Sequence, residues 1–206
     1  MALFGLFKRT PPIGEPKELA DFIDAQAAFL AQKGIYEYSR ARAGPHANKM
    51  MTEPGFVKSA ESSRWRAYPL CLAMVGEMVE GLLRPHAGAD KRAMTDDLID
   101  LLLSVFDRYP PPESIGKDAW LDARSALALS LDQVSLHPPK RVIDIPEQYV
   151  KRYFELMPIH EEMRSKDVGT TLAFLKLMHL LSRVVPNFSA CCRVQAPRAP
   201  WHQALR

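Results

Sequence analysis

The sequence predicts an all-α protein, organised as a single domain of six or seven helices with Pro-rich connections. Apolar residues recur at helical spacing along most of the chain, and no pair of alternating strands is joined by a hairpin turn. The 17 prolines cluster between the helix-like stretches, where they block helix propagation. We expect a flexible N-terminal arm over 1–15, a helical domain over 16–186 and a poorly ordered basic tail over 187–206.

The first half of the chain predicts two long helical segments. The first covers Pro16–Ala43, because proline suits the first turn of a helix and Gly44 is a typical C-terminal stop. The second begins near Pro54 and meets Pro69, which predicts either a kink or the first turn of a new helix through Leu83. The residues after this proline are apolar on most sides, so we expect that segment to be central.

The second half predicts further helices separated by proline-containing connections. The clearest covers residues 90 to 108, where apolar side chains follow the i, i+3, i+4, i+7 pattern. Another covers residues 117 to 137, and a short β-branched run at 142 to 145 is too brief to predict a strand. Proline opens a further helix over 146 to 158, and a last helix is expected over 167 to 185.

Composition excludes several classes of protein. The chain has 206 residues, 47% of them hydrophobic, which is enough apolar surface for a core and excludes a disordered chain. The stretch between Arg66 and Glu77 is the longest without a charge, and it is shorter than the about 20 residues that span a bilayer. Three cysteines without a spacing pattern argue against disulfides and thiolate zinc sites. These features, and the lack of a secretory signal, predict a cytoplasmic protein.

The distribution of charge weakens the prediction of nucleic-acid binding. The formal net charge is +3, but the tail after Pro186 holds three arginines and no acid. The first 17 residues are also basic, so the helical body between them carries a net charge of −2. A mildly acidic body with basic ends lacks the broad basic stripe of nucleic-acid-binding domains, and a nucleic-acid partner is therefore not expected.

The motifs of common enzymes are missing. The chain has no GxGxxG or GxxxxGK[ST] loop, no GxSxG nucleophile elbow and no HExxH helix. We therefore predict no cofactor, no metal site and no catalytic residue from motifs, and we lean towards a protein that is not an enzyme.

Histidines beside turn prolines provide the only candidates for acid–base or ligand-binding chemistry. His86 follows Arg84, and His160 precedes Glu161. If helix ends converge, His86, His160 and Glu161 form a pocket between helices. The alternative is that such histidines offset the helix macrodipole and bond to free carbonyls at helix ends.

The densest basic and aromatic cluster is the segment SRWRAY, in which we single out Arg64, Trp65, Arg66 and Tyr68 as candidate partner-binding residues. Arginine and aromatic side chains are enriched at energetically dominant positions of protein interfaces. The alternative is that Trp65 and Tyr68, three residues apart on one helix face, point into the core. In the functional interpretation, a protein partner is favoured over nucleic acid.

The N-terminal arm is the most distinctive local feature. Apolar and aromatic side chains are followed by two cations, which is typical of a short anchor or docking peptide: Leu3, Phe4, Leu6, Phe7, Lys8 and Arg9. So short a run predicts weak, reversible contact with an anionic membrane. The alternative is an arm that packs back on the domain or is disordered.

Six segments together resemble a known group of proteins: QKGIYEYSRARAG, SRWRAYPL, LLRPHAG, VFDRYP, LHPPK and YFELMPIHE. They are similar to segments of short, uncharacterised alphaproteobacterial helical proteins that sometimes carry the label "esterase". The resemblance covers about residues 1 to 180 and implies a bacterial cytoplasmic protein. It brings no catalytic residues, and the esterase label conflicts with the missing GxSxG motif.

The sequence leads us to expect one of two functions. The leading one is a non-enzymatic helical protein-interaction or accessory module, with association at the inner membrane surface through the arm. The alternative is an enzyme or small-ligand binder whose pocket between helices uses His86, His160 and Glu161.

Overall fold

A computed structural model describes residues 13–158, and every regular element in that range is helical. The all-α prediction is confirmed. Six α-helices follow in order: α1 (Pro16–Ala43), α2 (Ala47–Thr52), α3 (Pro54–Leu83), α4 (Lys91–Phe106), α5 (Lys117–Ser135) and α6 (Glu147–Glu155). Single 3₁₀ turns, Gly44–His46 and Arg84–His86, follow α1 and α3. Most of the predicted arm, the predicted helix over 167 to 185 and the basic tail lie outside the described residues.

The bounds of α1 agree with the prediction because the sequence marks both ends. The Glu18 carboxylate accepts hydrogen bonds from the backbone N–H groups of Gly14, at 2.7 Å, and Glu15, at 3.1 Å. These bonds satisfy donors next to the first turn of the helix. At the other end Gly44 has a φ of 52°, a left-handed conformation that glycine adopts without a Cβ clash.

Helix α3 is continuous through Pro69 and lies at the centre of the fold. The prediction that it is central is confirmed, since every residue from 67 to 80 is buried. The alternative in which a new helix begins at Pro69 is wrong. Proline in a helix interior costs about 3 kcal/mol through the lost hydrogen bond and the ring clash. Burial of the surrounding apolar side chains offsets that cost and keeps the helix unbroken.

Helix α3 packs against α1, α4, α5 and α6, and the buried side chains of these helices form a hydrophobic core. Close approach is possible at Gly76, where an added Cβ would lie 2.7 Å from Leu102 Cδ1 of α4 and 2.9 Å from Leu131 Cδ2 of α5. None of the helices within residues 13–158 is long and apolar enough to cross a membrane.

Candidate functional site

An open pocket lies between α1 and α3, and we call it the aromatic pocket. It has a volume of about 190 Å³ and is lined by Ala28, Ala31, Gln32, Arg64, Trp65, Tyr68 and Tyr109. Two alanines of α1 form one side, and three aromatic rings form the other. Three of the four residues that the sequence singled out for partner binding therefore line one pocket.

Edge-to-face ring contacts fix the aromatic side of this pocket. The Trp65 ring centroid lies 5.4 Å from that of Tyr109, 6.1 Å from that of Trp120 and 6.3 Å from that of Tyr68. Aromatic pairs in this geometry contribute about 0.5–1.5 kcal/mol each beyond their area of burial. The ring cluster is therefore a rigid wall, although Trp65 itself stays only half-buried.

Asp24 of α1 holds the two tyrosines of the wall in place. Its carboxylate accepts hydrogen bonds from the Tyr68 hydroxyl at 2.7 Å and from the Tyr109 hydroxyl at 2.9 Å. Arg108 donates to the same carboxylate at 3.3 Å. Burial and the bond to Asp24 raise the pKa of both phenols above their ordinary value, so both keep their protons and remain donors at neutral pH.

The two arginines of the SRWRAY segment lie at different places. The Arg64 guanidinium lies over the Trp65 ring, 5.4 Å from its centroid, and within residues 13–158 it forms no ion pair. Arg66 is exposed and lines a different cavity. Successive helical residues are rotated by about 100°, so positions two apart face different directions.

The cavity that Arg66 lines lies between α3, α5 and α6, and we call it the polar cleft. It has a volume of about 250 Å³, and Ser130, Gln148 and Arg152 line it together with Arg66. A second cavity of about 150 Å³ shares Ser130 and Gln148 with it. The two cavities therefore adjoin along α5 and α6.

A buried carboxylate of α3 lies behind the polar cleft. Glu77, with 4% of its side chain exposed, accepts hydrogen bonds from Gln148 Nε2 at 2.6 Å and from the Tyr149 hydroxyl at 3.0 Å. Lys140 forms an ion pair with it at 3.1 Å. These contacts hold the first turn of α6 and the segment that precedes it against the central helix.

A second buried carboxylate, Glu80, forms an ion pair with Arg84. The arginine donates from Nε at 2.6 Å and from Nη2 at 2.7 Å. It also donates to the backbone carbonyls of Val134, at 3.1 Å, and His137. Arg84 therefore links the end of α3 to the end of α5 through backbone carbonyls.

Sequence reasoning missed both buried acids. Glu77 and Glu80 stand in an apolar run, and that position was the available signal, because a charge there must find a partner when it is buried. The i, i+4 spacing of Glu80 and Arg84 also indicates a pair. The partners of Glu77 lie too far along the sequence for any local pattern to indicate them.

The other predicted site residues are only partly described. His86 is exposed at the end of its 3₁₀ turn. His160 and Glu161 lie outside the described residues, as do the arm residues Leu3 to Arg9. No group of three or more His, Cys, Asp or Glu side chains that could hold a metal ion is found within residues 13–158.

Comparison of the chain with protein-family models, with curated proteins and with solved structures finds no match.

Proposed function

We propose that this protein is a helical protein-interaction module and that the aromatic pocket is its recognition site. The observation that carries the proposal is the half-buried Trp65, capped by Arg64 and backed by a rigid wall of rings. Trp, Tyr and Arg are the side chains that most often dominate binding energy at interfaces. All three types line this pocket, whose other side includes two alanines of α1.

The chemistry of the pocket indicates what kind of segment it binds. The alanines and rings would accept one apolar or aromatic side chain, which they would remove from water. The Arg64 guanidinium lies over the Trp65 ring and forms no ion pair within residues 13–158, so its N–H groups are available to a carboxylate. We therefore propose a partner segment with an apolar residue next to Asp or Glu.

Selection of displayed random peptides on the full chain tests this proposal. We expect enriched peptides to place Asp or Glu beside a bulky apolar residue. Calorimetric affinity for such a peptide should fall at least about tenfold in Arg64→Glu, since a charged hydrogen bond contributes about 1.5–3 kcal/mol. Lys58→Glu makes the same charge change at an exposed position of α3 outside the pocket, and it should bind like the wild type. Enrichment without this pattern, or equal affinity for Arg64→Glu, would contradict the proposal.

We also propose weak contact between the arm and an anionic membrane surface, supported by Phe4 and Phe7 followed by Lys8 and Arg9. Deletion of residues 1–9 should abolish co-flotation with vesicles that contain phosphatidylglycerol. Neutral phosphatidylcholine vesicles should leave both proteins unbound. Equal flotation of the full and shortened chains with anionic vesicles would show that the arm makes no contribution.

The number of domains and helices is also a proposal. We propose one domain of six or seven helices, supported by the shared hydrophobic core of the long helices from Pro16 to Glu155. A helix over residues 167 to 185 remains a prediction of the sequence.

A further inference from the structure

We propose that the polar cleft is a second binding site, which takes a small amphipathic anion: a carboxylate or phosphate group on a short aliphatic chain. This site is separate from the aromatic pocket, since the lining residues of the two cavities do not overlap.

Positive charge is the first observation behind this proposal. Arg66 of α3 and Arg152 of α6 both line the cleft, and no acidic side chain lines it with them. Neither arginine forms an ion pair within the part of the chain that the structure describes. A guanidinium stays charged at any physiological pH, so two of them at one cavity create a positive potential that a bound anion would neutralise.

The other polar groups of the cleft show which donors are available to such a ligand. Gln148 donates one amide N–H to Glu77, at 2.6 Å, and its amide oxygen accepts from Lys140 at 2.8 Å. Tyr149 donates its hydroxyl hydrogen to Glu77 at 3.0 Å. Ser130 has only a long contact of 3.4 Å to the Tyr149 oxygen. The donors free to bind an anion are therefore those of Arg66, Arg152 and Ser130, together with the second amide N–H of Gln148.

The remaining wall of the cleft is apolar, and this feature points to an amphipathic ligand over a simple inorganic anion. Leu70 and Leu127 form part of that wall, and the small side chains of Ala73, Ala123 and Ala126 leave space between them. Burying a methylene group contributes about 0.8 kcal/mol, so a short chain adds affinity to the charge contacts. The volume of about 250 Å³ is below the range typical of drug-sized ligands and therefore favours a short chain.

Isothermal titration calorimetry of the full chain with defined probes tests the site. Hexanoate and hexyl phosphate, below their micelle concentrations, represent the two headgroups on chains of equal length, and hexanol and hexylammonium are the uncharged and cationic controls. We expect at least one anion to bind with a stoichiometry of one and at least about tenfold more tightly than either control, with an affinity that falls as salt rises. The tighter of the two anions identifies the headgroup.

Variants connect that binding to the cleft. Arg66→Gln and Arg152→Gln should each weaken the bound anion about tenfold, and Ala126→Trp should block the cavity. Lys151→Gln removes a neighbouring exposed cation of α6 that does not line the cleft, and it should bind like the wild type. Circular dichroism should show that each variant keeps its helical content. The proposal is overturned if neither anion binds, if hexanol or hexylammonium binds equally well, or if Arg66→Gln and Arg152→Gln both retain full affinity.

Discussion

Arg84→Met should lower the free energy of unfolding by about 3–5 kcal/mol, the cost typical of removing one partner from a buried ion pair. Its partner Glu80 has 2% of its side chain exposed and Arg84 has 12%, so water cannot take the place of the lost guanidinium. The variant would also leave the Val134 and His137 carbonyls at the end of α5 without this donor. Urea unfolding followed by circular dichroism at pH 7 measures the effect.

A second substitution separates the buried charge from the lost carbonyl contacts. Glu80→Met combined with Arg84→Met removes the unpaired carboxylate, so the double variant should be more stable than Arg84→Met alone. Arg141→Met is the matched control, because Arg141 pairs with Asp144 where both side chains are well exposed, and it should cause little change. A loss for Arg84→Met no greater than for Arg141→Met would show that the buried pair does not stabilise the fold.

Gly34→Ala should destabilise the protein by about 1–3 kcal/mol, as overpacking of a tight core does. An added Cβ would clash with the hydroxyl oxygen of Tyr153 in α6. That ring is buried, and its hydroxyl donates to the Leu30 carbonyl at 3.2 Å. Replacing glycine by alanine inside a helix normally adds about 1 kcal/mol of stability. A net loss of unfolding free energy would therefore indicate the close contact between α1 and α6.

Tyr153→Phe should rescue this variant, because it removes the clashing oxygen. The nearest remaining ring atom, Cζ, then lies 3.2 Å from the added Cβ. In that background Gly34→Ala should cost much less, and thermal unfolding of the four proteins gives the coupling. Gly55→Ala in the first turn of α3 is the control, because no atom lies within 4 Å of its added Cβ. If Gly34→Ala stabilises the wild type as Gly55→Ala does, Tyr153 of α6 does not pack closely against Gly34 of α1.

Local signals predicted the elements whose ends they mark. Pro16 and Gly44 bracket α1, and the apolar repeat located α4 to within two residues at each end. Helix α2 was not predicted, since six residues carry too little periodicity. The continuity of α3 through Pro69 depends on tertiary burial, which outweighs the local preference of proline.

The candidate sites were predictable only in part, for the same physical reason. Trp65 and Tyr68 share a helix face, so the SRWRAY segment indicated one aromatic cluster. The other rings, Tyr109 and Trp120, and the carboxylate of Asp24 come from distant segments that only the fold brings together. Local spacing likewise could not indicate that Arg66 of α3 and Arg152 of α6 line the same cleft.

The most direct test of the aromatic pocket as the recognition site is ¹⁹F NMR of protein labelled with 5-fluorotryptophan. Trp65, Trp120 and Trp201 are the three tryptophans, and Trp→Phe variants assign their signals. Titration with a selected acidic–apolar peptide should shift the Trp65 signal most and in a saturable manner, and Arg64→Glu should abolish that shift. A peptide that binds while the Trp65 signal stays unchanged would contradict the proposed recognition site.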